Sequence, residues 1–127
     1  LKAPLQWTCV EVMIKLNNPV DSYNGELALW LDGKQIIHLG PGSPNGTWVA
    51  DSFHPDPNGA PFEGFQWRND PNLAINWAWL NHYVTDEPAG SVAPISFDDL
   101  VVATDYIGPI SGGGTTSTPP AAPILLP

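Results

Sequence analysis

With one cysteine, Cys9, the 127 residues cannot close a disulfide among themselves. Its ordinary reading is an inert, buried thiol. Basic residues are nearly as scarce: four Lys and Arg stand against thirteen Asp and Glu, for a net charge of −9. Such a field repels phosphate backbones and anionic membrane surfaces, so no nucleic-acid partner is expected. It argues more weakly against a strongly anionic polysaccharide. No apolar run approaches the roughly 20 residues of a membrane helix, and no signal peptide is visible. No membrane insertion is therefore expected, while a signal already removed remains compatible with the sequence. Long runs of helix formers are missing too. What is abundant instead, 15 Pro, 12 Gly and 6 Trp, points to an all-β fold with long loops.

The best-marked stretch runs from Trp7 to Leu39 and reads as three antiparallel strands. In Thr8 to Leu16 the even positions Thr8, Val10, Val12, Ile14 and Leu16 are apolar or β-branched, which predicts that this face is buried. Glu11 and Lys15, on the mixed face, are expected to meet water. After the turn-rich NNPVDSYNG, Leu27, Leu29 and Leu31 alternate with Glu26, Ala28, Trp30 and Asp32. Asp32-Gly33 then suits a two-residue type I′ turn, whose central residues both need positive φ. The hairpin from Glu26 to Leu39 is the firmest structural expectation.

From Gly40 to Gly64 turn formers dominate, and only Thr47 to Ala50 predicts a short strand. A loop of that length in a small domain is usually functional or bound to something. It contains Asn45-Gly46-Thr47, an N-glycosylation pattern that carries chemistry only in a eukaryotic secretory pathway and is common by chance. Further strands are predicted at Phe65 to Arg68, at Leu73 to Val84 and at Ile95 to Thr104. In the second of these, Leu73, Ile75, Trp77, Trp79, Asn81 and Tyr83 share one face. The tail after Gly108-Pro109 has linker composition, flexible at Gly112 to Gly114 and stiffer at Pro119 to Pro123. Residues 1–110 are thus expected to form one domain and residues 111–127 a linker or docking tail. Its apolar end, Ile124, Leu125 and Leu126, is expected to dock on this domain or on a neighbouring chain. The opening LKAPLQ and the linker-like close suit a piece of a longer protein.

Three blocks carry a resemblance: WTCVEVMIKLN, GELALWLDGK and ISFDDLVVATDYIGP. Together they resemble the C-terminal half of bacterial secreted proteins related to polysaccharide lyases, within the concanavalin A-like lectin/glucanase superfamily. The likeness spans about Trp7 to Pro109 with gaps, and each block alone is a weak signal. It implies an antiparallel jelly-roll-like β-sandwich, here a partial one, with a glycan lying across the concave sheet, and an extracellular or cell-surface location. Half a jelly roll exposes sheet edges that natural proteins cover, so another chain or a further N-terminal part is expected to complete it.

For lyase chemistry the resemblance demands a cation to neutralise a uronate carboxylate, a base for the C5 proton and an acid for the leaving oxygen. Arg68 or Lys34 suits the first role by charge, and His82 or Tyr83 the others. His82 and Tyr83 are neighbours in an apparent strand, so they would point to opposite faces and cannot share one site. His38, in QIIH, is a fainter candidate, because the extra isoleucine changes which residues share a face. Binding without catalysis is easier to support. Trp30, Trp67, Trp77, Trp79 and Tyr83 form a candidate platform for stacking on sugar rings. Against this stands ordinary core packing, favoured for Trp77 and Trp79 by their place beside Leu73 and Ile75. No cofactor is expected, with a structural calcium ion at Asp98, beside Asp99, as the alternative. A glycan-associated module and a structural subunit buried by its neighbours are the two functional expectations.

Overall fold

The computed structural model describes residues 6–86, 88–91 and 94–109. Among them the chain is all-β, with no helix. Strands β1 (Val10–Lys15), β2 (Glu26–Leu31) and β3 (Lys34–Leu39) form an antiparallel sheet in the order β1-β2-β3. Strands β4 (Gly46–Val49) and β5 (Ser52–Pro55) form a separate hairpin. The Asp32-Gly33 turn is as expected, with φ of 51° and 77°. Register places Val10, Val12 and Ile14 opposite Leu31, Leu29 and Leu27. A bulge between Leu29 and Trp30 absorbs Ile36, so that Ile37 pairs with Leu29 and His38 with Ala28.

The core gathers at one end of this sheet. Leu39, Phe62 and Phe65 are buried, with Leu27 and Phe53 packed against them. The rings meet edge to face, Phe53 on Phe62 at 5.5 Å and Phe62 on Phe65 at 5.0 Å, the geometry that brings a positive ring edge to a negative ring face. Trp67 stacks on Phe65 at 4.2 Å, and Trp48 meets it edge-on. Phe53 and Phe62, two of these five core residues, therefore come from the Gly- and Pro-rich stretch expected to be a long loop. Backbone bonds from Gly42 N to Phe62 O, Phe62 N to Pro44 O and Gly46 N to Ala60 O fix it. Gly64 is needed where this stretch returns to the sheet: its φ is 102°, and a Cβ there would strike the Tyr23 carbonyl.

Several expectations are corrected. The apolar even face of β1 is not buried: Val10 is 59% exposed and Val12 56%, while Glu11 and Met13 on the other face are half-buried. The aromatic cluster covers only the Leu27–Leu39 end of the apolar face, which leaves the rest open. Phe65–Arg68 makes one bridge, Gly25 to Phe65, and no strand. Leu73–Val84 and Ile95–Thr104 are likewise outside any strand. Alternation shows which side chains a strand would bury, but a strand also needs a neighbour to accept its hydrogen bonds, and neither segment has one among the described residues. The tail residues Ile124, Leu125 and Leu126, like residues 111–127 as a whole, lie outside the described residues.

Candidate functional site

The first sheet carries its charged side chains, Lys34 excepted, on one face. Glu26, on β2, accepts from Lys15 Nζ of β1 at 2.5 Å and meets His38 Nε2 of β3 at 2.8 Å. One carboxylate thus ties three strands. The hydrogen bonds from Lys15 and then His38 hold its carboxyl below the usual glutamate value, against an opposing push from partial burial. At the other end of the same face Glu11 accepts the backbone N–H groups of Ile107 and Gly108, each at 2.8 Å. The expectation that Glu11 simply faces water is therefore corrected, since its carboxylate fastens the segment after Thr104 to β1. Tyr106 lies on Trp30, with ring centroids 5.3 Å apart.

Asn17 is the fully buried polar residue of the described chain, and sequence inspection missed it. Its amide nitrogen donates to the carbonyls of Pro19, Val20 and Arg68, and its side-chain oxygen accepts from Arg68 N at 2.9 Å. Arg68 replies with Nε to Asn17 O, and Nη1 reaches Pro71 O and Leu73 O. The Arg68 guanidinium, suited by charge to a uronate, is thereby engaged in holding residues 68–73 beside the end of β1. A signal for this was present only in the turn-rich setting of Asn17, which does not specify so distant a partner.

The five aromatic candidates divide into two groups. Trp30 packs on Tyr106. Trp67 stacks on Phe65 and donates Nε1 to Glu26 O at 3.3 Å. Trp77, Trp79 and Tyr83, by contrast, are 70%, 72% and 80% exposed. The core placement expected for Trp77 and Trp79 is corrected: their rings face solvent as a tilted pair, with centroids 6.3 Å apart. His82 is exposed beside them and has no hydrogen-bond partner among the described residues. Lys34 is exposed at the start of β3, far in sequence from His82 and Tyr83.

Asp98 Oδ1 accepts from the backbone N–H of Asp99, which has a positive φ of 51°. That bond is local, and no group of three or more His, Cys, Asp or Glu side chains converges as a metal site among the described residues. Asn45, of the glycosylation pattern, is half-buried and donates to Pro57 O. Cys9 is a free, half-buried thiol beside the hairpin turn, where its backbone pairs with Asp32. No helix among the described residues is long and apolar enough to cross a membrane. In comparison with known proteins, no family model, curated protein or solved structure matches this chain.

Proposed function

We propose that this chain is an extracellular, carbohydrate-associated module, built as a partial jelly-roll-like β-sandwich akin to that of polysaccharide lyases, and that it binds rather than cleaves. The observation that supports the reading is the solvent-facing pair Trp77 and Trp79, with Tyr83 four residues on. Indole rings left in water cost hydration free energy, and the apolar faces of sugar rings offer them flat, compatible partners. Asn76, Asn81 and His82, interleaved with the rings, supply donors and acceptors for hydroxyls. With a net charge of −9 the preferred glycan is uncharged. The engagement of the Arg68 guanidinium by the carbonyls of Asn17, Pro71 and Leu73 supports binding over lyase chemistry.

Tryptophan fluorescence during titration with cellohexaose, mannohexaose and alginate tests the proposal. Saturable change with a neutral oligomer is expected, weakened about tenfold by Trp77→Ala or Trp79→Ala as one stacking contact is lost. No response to any glycan, or equal binding by the double variant, would contradict it. The half-covered apolar sheet favours a second reading, a structural subunit whose exposed faces, edges and tail are buried by neighbouring chains.

A further inference from the structure

The two faces of the first sheet differ in a way that selects a partner. Glu11, Lys15, Glu26 and His38 all stand on one face. The other carries Val10, Val12, Ile14, Leu29, Leu31 and Ile37, with Lys34 only at its hairpin end. Beyond the Leu27–Leu39 end nothing described covers that second face. It continues past Ile14 and Leu16 into an open groove of about 230 Å³, lined also by Trp67, Leu73 and Ile75, with Arg68 as its one charged lining residue. Soluble monomers seldom leave a contiguous apolar patch larger than a few hundred Å² in water.

We propose that two copies of this chain pack these apolar faces together across a two-fold axis, Val10, Val12, Ile14 and Ile37 of one against the same set of the other, as a two-layer β-sandwich. This rests on the assembly reading above. Three considerations favour a second copy as the occupant. A face whose centre carries no charge meets its own image without stranding an ion, although each chain bears −9 overall. Antiparallel sheets stack about 10 Å apart with their inner side chains interdigitated, and the pairing of β1, β2 and β3 is antiparallel. The exposed parts of Val10, Val12, Ile14, Ile37, Leu73 and Ile75 amount to on the order of 500 Å² per copy. A pair that covered all of it would bury about 1,000 Å², the size at which specific interfaces begin.

Sedimentation equilibrium on the full 127-residue chain tests this. The expected mass rises to twice 13.7 kDa within roughly 1–100 µM. Val12→Glu should weaken association about a hundredfold, because a carboxylate would be buried at the interface, and leave the far-UV circular dichroism unchanged. Val12→Thr, which keeps the shape and adds one hydroxyl, should weaken it about tenfold and serves if the charged variant does not fold. A wild-type mass of 13.7 kDa throughout would overturn both the dimer and the assembly reading as applied to this chain alone. A dimer indifferent to both substitutions would overturn the choice of face while leaving assembly standing. Glycan binding by the Val12→Glu monomer is read separately and bears on neither result.

Discussion

Residues 10–67 and residues 73–103 have similar ingredients and different fates. Both contain alternating apolar stretches, aromatic residues and turn formers. In the first region each stretch finds a partner: β1 and β3 flank β2, and the Phe53, Phe62 and Phe65 rings close over Leu39. In the second, Leu73, Ile75, Trp77, Trp79, Phe97 and Leu100 are all more than half exposed, and no ladder forms among the described residues. The difference lies in long-range geometry, since a β-strand is stabilised by its neighbours and only weakly by its own residues. The second region therefore stands as surface, which is the physical ground for the binding role proposed above.

Paired substitutions sharpen the contrast most strongly. Leu39→Ala removes a side chain that is 1% exposed and should cost about 3 kcal/mol in urea unfolding, through lost burial and the cavity left behind. Leu100→Ala, at a residue 68% exposed, should cost less than about 0.5 kcal/mol. Equal losses at the two positions would erase the distinction between the regions.

A smaller effect concerns pH. The Glu26 carboxyl is held below its ordinary value in the folded chain, so its contribution to stability is complete above the unfolded value near 4.5 and is lost as pH falls through the folded one. Lys15 is largely exposed, so water screens the pair and the contribution should be about 0.5 kcal/mol. Glu26→Gln should remove that part of the acid dependence below about pH 5. Unfolding curves at pH 3.5 and pH 6 check it, and an unchanged slope in the variant would show that the three-strand tie is without energetic weight.

The sequence was most legible where local chemistry decides the backbone. Asp32-Gly33 announces its turn because few other pairs tolerate two positive φ values in succession. The second hairpin uses the same device without its usual mark: Ala50 and Asp51 have φ of 48° and 59°, and no glycine signals the turn. Phe62 sits among Pro and Gly residues, where periodicity is silent, and its role is set by contacts with Leu39 and Phe65. The tie from Asn17 to Arg68 spans 51 positions, beyond any local pattern. Trp77 and Trp79 show the limit from the other side: alternation groups them with Leu73 and Ile75 on one strand face, but the segment joins no strand and both rings meet solvent.

Amide hydrogen exchange followed residue by residue tests most directly the division into a paired and an unpaired region. Slow exchange is expected for the ladder amides of Glu26–Leu31 and Lys34–Leu39, and exchange near the rate of an unstructured chain for residues 74–84. A protected, alternating ladder through Leu73–Val84 would contradict the account, because it would make that segment a sheet strand and remove the reason for treating Trp77 and Trp79 as a solvent-facing platform.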